Sequence, residues 1–96
     1  MKIAPFKMRV TPEQSKRVQE LLFKNGYKWF ATVGPESQEV DKISSPYLFF
    51  DMGEGERVPS LTHLTIDNSE RYNRRYFEGN KNHELMYFNF IKLYDK

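Results

Sequence analysis

Arginine and tyrosine alternate in a short stretch near the end of the chain, and these residue types are suited to binding chemistry. The stretch, named here the arginine stretch, contains Arg71, Tyr72, Arg74, Arg75 and Tyr76. Arg71 and Arg75 are four residues apart, as are Tyr72 and Tyr76, so on a helix they form two neighbouring stripes. Guanidinium groups bind carboxylates and phosphates through paired hydrogen bonds, and a tyrosine ring packs on apolar groups or bases. We predict that this stretch is a binding surface.

Three interpretations of the arginine stretch stay open at this point. A protein partner would use the side chains that most often dominate interfaces, Tyr and Arg. A nucleic acid would use the arginines for phosphates and the tyrosines for stacking. In a purely structural interpretation the tyrosines cover a sheet, and the arginines are solvated or paired, as the spacing of Glu70 and Arg74 permits. Lys28 and Trp29 are a second candidate contact.

A further basic surface would form if the first two predicted strands paired. Its outward positions would be Lys7, Arg9, Lys28 and Phe30. A basic platform with an aromatic ring is similar to surfaces that bind single-stranded RNA. The Lys/Arg-Gly-aromatic signature of an RNA-recognition strand is absent, however. We therefore expect these residues to be ordinary solvent-facing side chains.

The residue types that perform catalysis or hold metals are sparse. The two histidines, His63 and His83, lack metal-ligand spacing, and the chain has no cysteine. Asp51, Glu54 and Glu56 lie close together without the regular spacing of a calcium loop. The serines lack a nucleophile-elbow context. We predict no catalytic residue, no metal site and no cofactor, and hence a protein that is not an enzyme.

Length and charge set the class of protein that carries these residues. The chain has 96 residues, which suits one domain spanning 1–96. It carries 15 Lys and Arg against 13 Asp and Glu, and this balance does not fit a polybasic nucleic-acid protein. The absence of cysteine suits a reducing cytoplasm, and no apolar run is long enough to span a membrane. We expect a cytoplasmic protein without membrane contact.

The first helix has the strongest local signal in the chain. Thr11 and Gln14 have capping-box spacing, and Pro12 falls at the first helical position, where its missing N–H costs nothing. The stripe expected to be buried consists of Val18, Leu21 and Leu22. Gly26 can adopt the left-handed conformation that ends a helix. The pattern predicts a helix from Pro12 to about Asn25.

Strands are predicted where apolar residues alternate with polar ones or run on continuously. These segments are 4–10, 27–33, 47–52 (an inner strand), 61–66 and 85–94. Segment 34–45 is expected to be a loop, and a short second helix to begin at Asp67 and end near Gly79. The order is strand, helix, three strands, short helix, strand. It predicts a single α+β domain with an antiparallel-rich sheet and its helices on one face.

Aromatic residues make up 16% of the chain, more than one face of a small sheet needs. Either both faces of the sheet are covered, or one aromatic face is left for a partner. The second alternative makes a homodimer a reasonable hypothesis.

Four short motifs resemble those of a known group of proteins. They are Thr11-Pro12-Glu13-Gln14-Ser15, Val18-Gln19-Glu20-Leu21-Leu22-Phe23, Gly26-Tyr27-Lys28-Trp29 and Tyr47-Leu48-Phe49-Phe50. The combination resembles small accessory proteins encoded by tailed bacteriophages, over about residues 6–50. The motif residues are capping, core and strand positions, so they indicate a shared scaffold and no shared site.

The resemblance implies a biological setting. Small phage accessory proteins typically bind and block something in the infected bacterial cytoplasm, so the resemblance implies stoichiometric inhibition of a host or antiviral-defence protein. Two alternatives stay open: a nucleic-acid-binding module, and sequestration of a signalling nucleotide at a subunit interface. The arginine stretch lies outside the resemblance, so we expect it to carry the specific function.

Overall fold

A computed structural model describes residues 2–53, 55–62 and 70–95, with the side chains of 70–72 left out. Within these residues the chain forms three strands, three helices and one 3₁₀ turn. In chain order they are β1 (Phe6–Arg9), α1 (Pro12–Lys24), the turn Pro35–Gln38, β2 (Tyr47–Asp51), β3 (Ser60–Thr62), α2 (Glu70–Gly79) and α3 (Tyr87–Tyr94). The predicted α+β class is confirmed.

Helix α1 forms as its sequence predicts. The Thr11 side chain accepts from the Gln14 N–H at 3.2 Å, and the Gln14 side chain accepts from the Thr11 N–H at 3.1 Å, which completes the capping box. Gly26 follows the helix with a φ of 91°, in the region that glycine tolerates. Both ends of this helix are therefore fixed by local interactions.

The loop 34–45 is held against α1 by a buried glutamine. Gln19 Nε2 donates to the Asp41 carbonyl at 2.7 Å, and Gln19 Oε1 accepts from the Asp41 N–H at 2.9 Å. The Gln19 side-chain amide therefore forms with the Asp41 backbone the same pair of hydrogen bonds that a neighbouring β-strand would form. Both polar atoms of Gln19 are satisfied although the residue is fully buried.

The sheet is antiparallel in the order β1-β2-β3, so β2 is the inner strand, as predicted. Phe6 pairs with Phe50 and Lys7 with Phe49 across β1 and β2. Because side chains alternate along a strand, this register separates two faces. The first face consists of Phe6, Met8, Leu48, Phe50 and Leu61, which share one buried cluster with side chains of α1 and α3.

Helix α2 covers the second face of the sheet. Its Phe77 is buried and stacks on Tyr47 with ring centroids 4.7 Å apart. Tyr76 meets Phe49 edge-on at 5.0 Å. The prediction of helices on one face is therefore wrong: α1 and α3 pack on one face and α2 on the other. The aromatic excess is used to cover both faces within a single chain.

The last segment is a helix, and its prediction as a strand over 85–94 is wrong. Tyr87, Phe90, Ile91 and Tyr94 are buried or partly buried and recur at intervals of three or four residues. That spacing places them on one side of a helix, where they pack into the core. Phe90 lies 5.4 Å from Phe6 between ring centroids, which fixes α3 against the sheet.

The segment 27–33 is not a strand, and its prediction is also wrong. Tyr27 and Trp29 are buried as the alternation predicts, but only Trp29 forms a bridge, with Leu61. Ala31 has a φ of 59°, so the chain leaves the extended conformation there. Val33 is consequently 84% exposed.

Short segments pair with the outward-facing backbone groups of the two outer strands. On β1, the Lys7 N–H donates to the His83 carbonyl at 3.0 Å, and the Leu85 N–H donates to the Lys7 carbonyl at 2.9 Å. On β3, the Leu61 N–H donates to the Lys28 carbonyl, and the Phe30 N–H donates to the Leu61 carbonyl. The predicted strand 61–66 is seen as Ser60–Thr62, and its remainder and the helix start at Asp67 lie outside the described residues.

Candidate functional site

Helix α2 carries the arginine stretch, and its C-terminal half presents three of the predicted residues. Arg74 and Arg75 are exposed, and Tyr76 is 40% exposed. We call these three residues the α2 surface. Arg71 and Tyr72 are also on α2, but their side chains lie outside the described residues. Phe77, which follows Tyr76, points to the sheet, so the helix has one apolar side and one basic side.

The C-terminal end of α2 is anchored by a buried lysine from β1. Lys7 is only 9% exposed. Its Nζ donates to the carbonyl oxygens of Phe77 at 2.7 Å and Asn80 at 3.0 Å, and lies 3.5 Å from that of Glu78. The last carbonyls of a helix lack partners within the helix and carry a partial negative charge. The ammonium group therefore satisfies them and holds α2 on the sheet.

The predicted basic platform does not form. Lys7 is buried beneath α2, and Arg9 pairs with Glu84 at 3.3 Å while it lies over the Phe77 ring. Lys28 and Phe30 are on the opposite edge of the sheet, beside β3 instead of beside β1. The expectation that Lys7 is an ordinary solvent-facing lysine is wrong, because α2 covers it.

Lys28 and Trp29 are placed differently from each other. Lys28 is exposed, whereas Trp29 is 5% exposed and its indole N–H donates to the Glu39 carbonyl at 3.1 Å. The indole therefore belongs to the core at the base of the 34–45 loop. Trp29 also forms part of the wall of the cavity described next.

Two surface cavities meet at Phe30, and we call them together the Phe30 groove. The larger, of about 310 Å³, has Val33, Val58 and Pro59 in its wall. The smaller, of about 160 Å³, has Met52 and Tyr76 in its wall. Phe30 lines both and is 49% exposed. The groove was missed from the sequence, since exposed apolar residues far apart in the chain give no joint signal.

Four exposed cations lie near residues of the groove in the sequence, and only the first of them, Lys28, is itself in a wall. They are Lys28, Arg57, Arg74 and Arg75. Within the described part of the chain the ion pairs are Arg9–Glu84, Arg17–Asp95 and Lys42–Asp41, so none of the four is paired there. Two carboxylates, Glu56 and Asp51, are also in the walls.

The residues considered for metal binding do not come together where they are described. Asp51 Oδ1 accepts from Asn82 Nδ2 at 2.7 Å. Glu54 and His63 lie outside the described residues, and His83 is exposed. Among the residues that the structure describes, no group of three or more His, Asp or Glu side chains is arranged to hold a metal ion.

Comparison with known proteins adds no relative: no protein-family model, no curated protein and no solved structure matches this chain. None of the helices that the described residues form is long and apolar enough to cross a bilayer. The motifs that resemble phage proteins occupy the α1 cap, the core and β2.

Proposed function

We propose that the protein binds a host or antiviral-defence protein stoichiometrically and inhibits it, and that the α2 surface makes the contact. One observation carries the proposal. Arg74 and Arg75 are exposed without an ion pair to any described residue, beside a half-exposed tyrosine whose ring is held edge-on against Phe49. Arginine and tyrosine, together with tryptophan, are enriched at the interface positions where alanine substitution costs the most binding free energy.

The anchoring of α2 supports a role in tight binding. Lys7 holds the C-terminal end of the helix, and Phe77 is packed between Tyr47 and Phe49. A surface on a rigid element loses little conformational entropy when it binds. The backbone of α2 and the ring of Tyr76 are therefore preorganised for a partner, and this lowers the entropic cost of binding.

The resemblance of residues 6–50 to small phage proteins supports the class of partner. Proteins of that kind typically block something in the infected cell, by occupying a host or defence protein, by sequestering a signalling nucleotide or by coating nucleic acid. Nucleic acid is the second candidate, because two unpaired arginines on one helix also suit phosphate groups. The groove next to Tyr76 could receive an apolar side chain of a protein or stack a base, so the test has to distinguish the two candidates.

The test is capture of partners from bacterial lysate with the tagged protein, with one half of the lysate treated with nuclease. We expect one protein recovered near one-to-one in both halves. The double variant Arg74→Glu, Arg75→Glu should lose it, because each hot-spot arginine contributes about 2 kcal/mol or more, roughly thirtyfold in affinity. The matched control is Lys16→Glu, Lys24→Glu, which makes the same charge change on exposed positions of α1.

The outcomes separate the two candidates. Captured material that vanishes with nuclease, with an affinity that falls steeply as salt increases, would replace the protein partner with a nucleic acid. Equal capture by the double variant and the α1 control would remove α2 from the interface. Thermal unfolding of both variants, with unchanged midpoints expected, shows that lost capture reflects the surface and not the fold.

A further inference from the structure

We draw no further inference here: the strongest candidate, the Phe30 groove beside β3, carries Lys28 against Glu56 and Asp51 in its walls, and nothing in the described part of the chain shows what covers it.

Discussion

The ammonium group of Lys7 fixes the position of α2 from a site far away in the chain. It donates to the carbonyl oxygens of Phe77 and Asn80, seventy and seventy-three residues later. Its Nζ also lies 4.9 Å from the centre of the Phe77 ring, a favourable cation–π distance. One side chain therefore neutralises the helix end and secures the residue that packs on the sheet.

Replacement of Lys7 by methionine tests this anchor. Lys7→Met keeps the aliphatic stem but leaves buried carbonyl oxygens without a donor, so we expect the free energy of unfolding to fall by about 2 kcal/mol. Urea denaturation followed by circular dichroism measures the change. The control, Lys16→Met at an exposed position of α1, should change it by less than about 0.5 kcal/mol. Equal effects of the two substitutions would show that the buried bonds do not stabilise the fold.

The burial of Lys7 could not be predicted from its neighbours in the sequence. It lies between Phe6 and Met8, where alternation places it on the opposite side from the core. The predicted alternation is correct, since Phe6 and Met8 share the first face of the sheet and Lys7 lies on the second. What alternation does not reveal is that α2 returns to cover the second face, because that depends on packing between distant elements.

At the scale of elements, α1 was predictable and α3 was not. The capping box of α1 is made by residues three apart, so the signal is local and complete. In α3 the inward stripe of buried Phe90 and partly buried Tyr87 and Tyr94 has helical spacing, but Phe88 and Leu93 are exposed and apolar, which hides the periodicity. A segment that is apolar on both sides is ambiguous between helix and strand.

A proline within α3 distinguishes the two structures. Lys92 is exposed in the second half of the helix, so Lys92→Pro should remove a helical hydrogen bond and destabilise the protein by about 3 kcal/mol. The control Lys92→Ala should change stability by less than about 0.5 kcal/mol, because alanine is an excellent helix former. Chemical denaturation of both variants measures the difference. A proline variant as stable as the alanine variant would mean that this segment is not helical.

The segment 27–33 shows a different limit of the sequence. Tyr27 and Trp29 face inward as alternation predicts, and the prediction fails only at Ala31. A positive φ costs alanine about 1 kcal/mol. Because alanine disfavours this conformation, its presence in the sequence does not predict a turn at this position. The turn follows the buried Trp29 and the hydrogen bonds of Leu61, which accepts from the Phe30 N–H and donates to the Lys28 carbonyl. The Phe30 groove depends on this turn and was equally hidden.

At the scale of the whole molecule, one chain covers both faces of its own sheet. Folding should therefore not depend on protein concentration. The radius of gyration of the Cα atoms is 12.6 Å, which matches the roughly 12.5 Å expected of a compact domain of this length. We expect a midpoint of unfolding in urea that does not change over a hundredfold range of protein concentration. A midpoint that rises with concentration would mean that a second copy completes the fold. The homodimer stays a prediction about association and is not needed to cover the sheet.

Of the predicted contact residues, Arg74, Arg75, Tyr76 and Lys28 lie at the surface, and Trp29 does not. Exposure of an arginine follows from its charge, whereas exposure of a tryptophan depends on which loop covers it. The sequence therefore indicated the basic side of the candidate site, and its apolar side became visible only in three dimensions.

The pairing of Lys7 with His83 and Leu85, and of Leu61 with Lys28 and Phe30, has a consequence for how the protein meets other chains. An outer strand with free backbone groups can recruit a foreign strand, which drives both β-augmentation and fibril growth. At the centres of β1 and β3 those groups are already occupied. At Lys7 and Leu61 a foreign strand therefore finds no free backbone group to pair with, and a partner that approaches there meets side chains instead.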